Sequence, residues 1–363
     1  MRLPTYDELS NDEEQLDVLE TPLDEPLFVV GPPGSGKTSL AVWRGNALAE
    51  LYRERTPVLT YNRMLRRSLG LVAGEHRMDI RAATMQSYVG QDFARRTRTD
   101  VPKIPPNPYA YDWTAMIERL AGAEPDHQAL VVDEGQDLPA SFFVYASRYI
   151  ARFLSVFADE EQAIGQRRST LEQIQHATGL PDPKILSENH RNTPEIARLA
   201  EHFHRGRLPT ATAMRTGSGI LPRLVRATSH GLTAKRIATE FRNRAGSIGV
   251  IVDREKTAQV VQDLMRKQLP HGRVDRYSSD LRNEDRIDVR KPGITVLNKE
   301  SVKGQEFDTV FVLELDQFVP CVTDAAFRAM YMMCSRARDH LTLIYGPAPL
   351  SAAAEAALPG PEV

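Results

Sequence analysis

One short motif restricts the fold of this chain more than any other feature. The sequence GPPGSGKT, Gly31 to Thr38, follows an apolar run ending at Val29-Val30 and precedes a stretch typical of a helix. A strand, a glycine-rich loop and a helix in this order form a P-loop, which surrounds a phosphate with backbone N–H groups and the positive end of a helix. The motif therefore predicts an α/β domain with a phosphate site after its first strand.

Short apolar runs alternate with amphipathic stretches of helical period along the 363 residues. This pattern is typical of parallel sheets wrapped by helices, so the fold class is predicted to be α/β. The predicted strands are Leu27–Val30, Val58–Tyr61, Leu130–Val132, Phe153–Phe157, Ile248–Val252, Ile294–Leu297, Thr309–Leu313 and Leu341–Tyr345.

A proline- and glycine-rich stretch divides the chain near its middle. The sequence GLPDP, Gly179 to Pro183, breaks helical structure between two series of strands and helices. A helix with an apolar face is predicted to open soon afterwards at Thr193-Pro194, with the Thr193 hydroxyl as its cap. We therefore predict two domains, 1-180 and 181-363.

Charge and hydropathy exclude some functional classes. The formal net charge of -2 gives no overall basic field, so a polyanion has to be bound by local patches. The first residues are acidic and lack the apolar segment of a signal peptide, and no run approaches the roughly 18 apolar residues of a membrane span. These features predict a cytoplasmic protein with no membrane partner.

The P-loop residues have separable expected roles. Lys37 is expected to reach the β- and γ-phosphates, and Thr38 to bind Mg²⁺, while the glycines let the backbone approach the phosphates. The predicted nucleotide-binding residues of this loop are Gly31, Gly34, Ser35, Gly36, Lys37, Thr38 and Ser39.

A second motif supplies the acidic groups that phosphoryl transfer needs. The apolar run in ALVVDEGQD, Ala129 to Asp137, ends abruptly in two adjacent carboxylates. In combination with a P-loop, Asp133 is predicted to bind Mg²⁺ and Glu134 to orient and deprotonate the attacking water. The predicted cofactors are therefore ATP and Mg²⁺.

The order of these motifs resembles the UvrD/Rep branch of the superfamily 1 helicases, because DEGQD, Asp133 to Asp137, has the DExQD form of that family. The resemblance extends from Leu9 to Leu341. It implies two tandem RecA-like P-loop NTPase domains with parallel sheets, Mg-ATP bound between them, and an ATP-driven motor on single-stranded nucleic acid, with DNA favoured over RNA.

In the first domain, the resemblance assigns nucleotide contacts outside the P-loop. LSNDEEQLDVL, Leu9 to Leu19, is similar to the family's adenine-reading segment, with Gln15 as the reader; the alternative is a solvent-facing glutamine on a helix. FADEEQAIG, Phe157 to Gly165, resembles the segment that makes Gln162 the γ-phosphate sensor, with Asp159 as its supporting acid.

In the second domain, the resemblance assigns two arginine fingers and a ribose contact. ENHRNTPEI resembles the element in which Arg191 reaches the γ-phosphate, and MMCSRARDHL resembles the one that makes Arg336 the second finger, with Arg338 a weaker candidate. SVKGQEFDTV is similar to a segment that places Gly304 near the phosphates and Glu306 near the ribose. For Arg191 alone, the alternative is a surface salt bridge.

Two segments of the first domain resemble the family's single-strand contacts. VLTYNRML, Val58 to Leu65, supplies Tyr61, Asn62 and Arg63 as predicted nucleic-acid contacts, and ATMQSY, Ala83 to Tyr88, supplies Thr84 and Gln86. Either segment alone could equally be part of the scaffold.

The chain lacks family features that strengthen binding to single-stranded nucleic acid. Too few residues separate the motifs for the large accessory domains, and Gly165 to Arg168 lack the base-stacking aromatic. Three arginine groups are candidate substitutes, although a single group is more often a solvated helix face balanced by acids. They are Arg63, Arg66 and Arg67; Arg95, Arg96 and Arg98; and Arg167 and Arg168.

These departures keep a rival function open. A regulatory or assembly ATPase could use the same nucleotide cycle to control a protein partner, such as a nuclease in DNA repair or phage defence. A simple P-loop kinase is disfavoured, because it has no need of Arg191 and Arg336 from a second domain.

Overall fold

The computed structural model of this chain describes residues 3–107, 109–159 and 169–360. These residues form two compact units. The amino-terminal unit comprises Leu3–Gly31 and Gly36–Leu186, and the carboxyl-terminal unit comprises Pro32–Ser35 with residues 187–360. The tip of the P-loop thus belongs to the carboxyl-terminal unit.

The amino-terminal unit alternates strands and helices. Its helices are α1 (Tyr6–Ser10), α2 (Glu13–Glu20), α3 (Lys37–Tyr52), α4 (Arg63–Glu75), α5 (Met85–Thr97), α6 (Trp113–Arg119), α7 (Ala140–Tyr145) and α8 (Leu171–Thr178). Its strands are β1 (Leu27–Val30), β2 (Thr56–Thr60), β3 (Ile80–Thr84), β4 (His127–Val132), β5 (Ala151–Ala158) and β6 (Lys184–Ile185).

These strands form one parallel sheet in the order β3-β2-β4-β5-β1-β6. All residues of β1 and β2 are buried, as expected for parallel strands covered on both faces by helices. Strand β5 lies between β1 and β4. The three strands are parallel, so the segments that follow them meet at the carboxyl end of the sheet. Those segments are the P-loop, the Asp133–Asp137 motif and Asp159.

The first sheet continues past the predicted domain boundary. Strand β6 follows the Gly179–Pro183 loop and pairs with β1 through Lys184 and Ile185. The limits 1-180 and 181-363 therefore stay a prediction, with the last strand of the first sheet a few residues beyond them.

The carboxyl-terminal unit repeats the same alternation. Its helices are α9 (Pro194–Glu201), α10 (His230–Arg244), α11 (Glu255–Gln268), α12 (Asp324–Cys334) and α13 (Ala352–Ala356). Its strands are β7 (Glu188–Asn189), β8 (Thr212–Ala213), β9 (Arg223–Arg226), β10 (Ser247–Val252), β11 (Val274–Tyr277), β12 (Gly293–Asn298), β13 (Phe307–Val312) and β14 (Ala337–Tyr345).

Six of these strands form a second parallel sheet in the order β11-β12-β10-β13-β14-β9. Apolar residues of β10 and β12 pack with those of α10 and α11 in a buried core. Strands β7 and β8 form a separate parallel pair. The helix predicted at Thr193-Pro194 is α9, but the Thr193 side chain makes no capping hydrogen bond, so Pro194 at the first turn is the feature that marks its start.

The α/β fold class is therefore confirmed: two six-stranded parallel sheets follow one another along the chain, consistent with tandem RecA-like domains. Every predicted strand is present; β1 has the predicted bounds, and the bounds of the others are shifted by a few residues. Within the part of the chain that the structure describes, no helix has the length and apolar character needed to cross a bilayer.

Candidate nucleotide site

The P-loop has the backbone shape that phosphate binding requires. Gly34 and Gly36 have φ values of +91° and +89°, a region that favours glycine. Helix α3 begins at Lys37, so Lys37 to Ser39 form its first turn, and no side chain caps this end. The uncapped N–H groups of a helix start form an anion site. The Ser35 hydroxyl donates to the Pro32 carbonyl at 2.9 Å, which closes the turn.

Lys37 is held over this loop. Its Nζ donates to the Gly31 carbonyl at 2.6 Å and lies 3.9 Å from a carboxylate oxygen of Asp159. Only 7% of Lys37 is exposed. The ammonium group is therefore fixed between the start of the loop and the end of strand β5.

Asp133 is a buried carboxylate beside the P-loop. Burial raises its pKa to about 7, and the neighbouring Glu134 charge adds to this, whereas a hydrogen bond from Thr38 and the Lys37 charge act in the opposite direction. Its Oδ2 atom is buried without a hydrogen-bond partner among the described residues. A carboxylate oxygen and a hydroxyl are ligands that Mg²⁺ prefers, so Asp133 and Thr38 fit the predicted metal.

Glu134 is fixed in an uncommon backbone conformation. Its φ of +56° is left-handed, and its Oε2 accepts a hydrogen bond from Gln136 Nε2 at 2.5 Å. Gln136 Oε1 in turn accepts from the Asp159 backbone N–H at 2.9 Å. Gln136 thus ties Glu134 to the end of β5. Gln136 is not among the site residues predicted from the sequence, although the glutamine of the DExQD form was the available signal.

Asp133→Asn is expected to stabilise the nucleotide-free fold. A carboxyl group has a pKa of about 3.9 when unfolded. Because folding raises the Asp133 pKa to about 7, the folded state loses stability as pH rises between these values, and the full cost is present at pH 8. Neutral asparagine removes the cost. Thermal melts should show a higher Tm for Asp133→Asn, by about 2–4 °C for each kcal/mol regained.

The pH dependence of this gain provides the control. At pH 5 the folded-state carboxyl is mostly protonated, so the substitution should raise the Tm by less than at pH 8. An equal gain at both pH values, or a lower Tm at pH 8, would show that the buried charge is not the destabilising feature.

Gln15 lies against the P-loop. It is on helix α2 and is only 4% exposed, which contradicts the alternative of a solvent-facing glutamine. Its Nε2 is placed where a Cβ on Gly36 would approach it to 2.8 Å. This position suits a residue that contacts a nucleotide, and the adenine-reading role stays a prediction. Gln162, predicted as the γ-phosphate sensor, lies outside the described residues, as do Arg167 and Arg168.

The two predicted strand-contact segments emerge side by side. Strands β2 and β3 pair in parallel and end at opposed residues, Thr60 and Thr84. The Thr84 side chain caps helix α5, and the Asn62 side chain caps helix α4, so both have structural roles. Tyr61, which directly follows β2, is 46% exposed. Of the remaining two predicted contacts, Arg63 opens α4, and Gln86 lies in the first turn of α5 with its carbonyl accepting from the Tyr111 hydroxyl.

Two members of one arginine group, Arg95 and Arg96, are paired with acids. Arg95 and Arg96 both pair with Asp92, at 2.7 and 3.0 Å, and both also contact Asp126. Arg96 in addition donates to the Glu124 carbonyl at 3.0 Å. These contacts support the alternative of a helix face balanced by acids over a phosphate-binding role for this pair.

Arg191 and Glu306 form a partly buried ion pair in the carboxyl-terminal unit. Arg191 Nε donates to Glu306 Oε2 at 2.9 Å, and Nη1 lies 3.5 Å from the Ser335 carbonyl. Burial by itself would raise the pKa of Glu306, but surrounding positive charge, including Arg191, lowers it to about 2. Arg191 therefore forms a salt bridge, which was the alternative to a finger role. Its partner is Glu306, the predicted ribose contact. Gly304, at φ +71°, turns the chain before Glu306.

Arg336 is buried within the same unit. Its Nε donates to the Met332 carbonyl at 2.9 Å and Nη1 to the Gln305 carbonyl at 3.4 Å. Only 1% of the residue is exposed. Its role as a second finger stays a prediction. Arg338, the weaker candidate, is more exposed and lies 3.8 Å from Asp308.

The tip of the P-loop and the Arg191 segment, which belong to the same unit, are in contact. The His190 backbone N–H donates to the Gly34 carbonyl at 3.0 Å. A Cβ on Gly34 would clash with the Asn189 side-chain oxygen and lie 3.0 Å from Arg191 Cβ. The segment carrying the predicted finger is therefore placed beside Gly34, at the tip of the loop that is predicted to bind phosphate.

Comparisons with known proteins include a distant structural likeness. No protein-family model matches the chain. No curated protein matches it either. Among solved structures, the C-terminal domain of a possible DNA helicase from Lactobacillus plantarum WCFS1 is similar in part, with 19% identity and a TM-score of 0.33. This likeness covers 46% of the present chain and 93% of that domain.

Proposed function

We propose that this protein hydrolyses Mg-ATP and couples hydrolysis to movement on single-stranded DNA, as a compact helicase-type motor. The observation that carries the ATPase part is the buried Asp133 carboxylate beside Thr38 and Lys37, with one oxygen lacking a partner among the described residues. A buried carboxylate of this kind destabilises the protein unless it has a ligand to bind.

Each residue of the amino-terminal unit has a step in the proposed reaction. Lys37 binds the β- and γ-phosphates, and Thr38 and Asp133 hold Mg²⁺, which offsets the phosphate charge when bound. Glu134, oriented by Gln136, positions a water and accepts its proton as the water oxygen attacks the γ-phosphorus. The bond from that phosphorus to the bridging oxygen breaks, giving ADP and phosphate.

The arginines of the carboxyl-terminal unit are proposed to complete the reaction. Arg191 follows the segment that contacts Gly34, and its planar guanidinium can stabilise charge on the transferring phosphoryl group. To do so, Arg191 leaves Glu306 and binds the phosphate. Glu306 then has a second role besides the ribose contact, because it holds Arg191 when no nucleotide is bound. Arg336 is proposed as the second finger on the basis of the family resemblance.

The single-strand contact is proposed at the adjoining ends of β2 and β3. Tyr61 is exposed there and offers a ring on which a base can stack, and Arg63 offers a charge for the backbone. The capping roles of Asn62 and Thr84 leave fewer side chains for this task than the sequence predicts.

The motor hypothesis is tested by phosphate release from the purified chain with single-stranded DNA, single-stranded RNA or duplex DNA, at low and moderate salt. We expect single-stranded DNA to stimulate the rate manyfold and salt to suppress the stimulation, because phosphate contacts release counterions. Tyr61→Ala should weaken the stimulation, with the similarly exposed Tyr109→Ala as its control. A rate indifferent to all three nucleic acids rejects the motor.

The pairing of Arg95 and Arg96 with acids favours a second candidate. With these two arginines paired, fewer basic side chains are available to a polyanion, as expected of an ATPase that controls a protein partner such as a nuclease. Robust hydrolysis without any response to nucleic acid would support this alternative.

A further inference from the structure

Arg215 is outside every motif of the sequence, yet the fold places it beside Arg191. Strands β7 and β8 pair in parallel, with Glu188 opposite Thr212 and Asn189 opposite Ala213. The Met214 backbone N–H continues the pairing by donating to the Asn189 carbonyl at 3.0 Å. The chain leaving β8 therefore runs alongside the chain leaving β7.

The Arg215 guanidinium joins three segments. Nη1 donates to the Arg191 carbonyl at 2.8 Å and to the Arg338 carbonyl at 2.9 Å. Nη2 donates to Asp339 Oδ1 at 2.7 Å, which balances its charge. Only arginine offers several donors in a rigid planar fork that can satisfy these acceptors together.

A second connection joins the same segments. The buried Asn192 side chain donates from Nδ2 to the Ser335 carbonyl at 3.1 Å and to the Ala337 carbonyl. The Thr193 backbone N–H donates to the Arg338 carbonyl at 3.2 Å. In the sequence, Arg336 stands between Ser335 and Ala337, whose carbonyls Asn192 contacts. The two predicted fingers are thus carried by segments that are bonded to each other.

The loop after Arg215 is itself anchored. Glu195, in the first turn of α9, accepts from the Gly219 backbone N–H at 2.7 Å. Burial would raise the pKa of Glu195, but hydrogen bonds from backbone N–H groups, including Gly219 and Ser218, outweigh it and lower the pKa. The chain around Arg215 is therefore anchored before it by the pairing of β8 and after it by the hydrogen bond from Gly219 to Glu195.

We propose that Arg215 is a positioning residue that fixes the two predicted fingers, Arg191 and Arg336, in one arrangement. The inference rests on the proposed ATP hydrolysis. Arg215 acts through the backbone carbonyls of Arg191 and Arg338 and does not itself touch the nucleotide. Because a misplacement of about 1 Å at a reacting group can cost about a hundredfold in rate, loss of Arg215 should lower kcat.

The test compares Arg215→Met and Arg215→Lys with Arg226→Met. Arg226 also binds a carbonyl with two donors, that of Pro347, but at the edge strand β9. We expect Arg215→Met to lower kcat by about ten- to a hundredfold with ATP affinity unchanged, and Arg226→Met to retain the wild-type kcat. Arg215→Lys should restore part of the rate, because an ammonium can bind some of the three acceptors.

A double variant separates positioning from general loosening. In the Arg191→Ala background, Arg215→Met should lower kcat by less than in the wild type, because one of the two groups that it positions is gone. A full additional loss, a change confined to ATP affinity, or a wild-type kcat in Arg215→Met overturns the inference and leaves the proposed ATPase standing. If Arg215→Met fails to fold, folded Arg215→Lys provides the test. A kcat below that of the wild type with ATP affinity unchanged supports the inference, and the wild-type kcat overturns it. An inactive wild type overturns both proposals.

Discussion

Glu134→Gln is expected to bind ATP normally and to hydrolyse it about a hundred- to ten-thousandfold more slowly. Glutamine keeps the size of the side chain but cannot accept the proton of the attacking water. The Gln136 hydrogen bond to position 134 is retained by the amide oxygen, so the loop should keep its shape. Equilibrium binding of a fluorescent ATP analogue and single-turnover phosphate release together measure the two effects.

The chain contains a matched control for this substitution. Glu314 also follows a sheet strand, β13, and has the same left-handed φ of +56°. Its Oε2 accepts from the Asp253 backbone N–H at 3.0 Å, and its Oε1 accepts from the Thr257 hydroxyl at 2.8 Å. In glutamine the amide oxygen can keep the first contact, and the amide NH2 can donate to the Thr257 hydroxyl oxygen in place of the second. Glu314→Gln should therefore retain hydrolysis. Near-wild-type turnover in Glu134→Gln would remove Glu134 as the base.

Arg191→Ala is expected to lower kcat by about a thousandfold or more, the usual effect of losing an arginine finger, with smaller change in ATP affinity. Arg191→Lys should be nearly as deficient, because an ammonium lacks the planar fork of a guanidinium. Rapid-mixing measurements of phosphate release at saturating ATP provide kcat for each variant.

Arg198, exposed on helix α9 of the same unit, provides the control for Arg191. Arg198→Ala should hydrolyse ATP at the wild-type rate. If Arg191→Ala does so as well, the Arg191–Glu306 ion pair is a structural contact and the finger assignment fails. Circular dichroism of both variants checks that losing the ion pair has not unfolded the unit.

The strands that the sequence predicted and those it missed differ in position within the sheets. The predicted ones are central, where burial on both faces requires continuous apolar runs. The four edge strands of the two six-stranded sheets, β3, β6, β9 and β11, were all missed, as were the paired short strands β7 and β8. Edge strands are short and carry charge, as in RLVR of β9 or VDRY of β11, so they lack the apolar signal.

Some residues of the candidate site could be predicted from the sequence, and others could not. Lys37, Thr38, Asp133 and Glu134 could be placed from sequence, because each lies in a contiguous motif directly after a strand. The roles of Asn192 and Arg215 could not, because both side chains bind backbone carbonyls more than a hundred residues away. A carbonyl acceptor is common to all residues and leaves no pattern in the sequence.

We expect Lys37, Asp133 and Glu134 to form an ATP-hydrolysing site. Steady-state phosphate release by the purified wild-type chain, with Mg²⁺ and with excess chelator, tests it most directly. We predict hydrolysis that requires Mg²⁺ and that disappears in Lys37→Ala. Hydrolysis absent from the wild type under all conditions, or equal in wild type and Lys37→Ala, would contradict it.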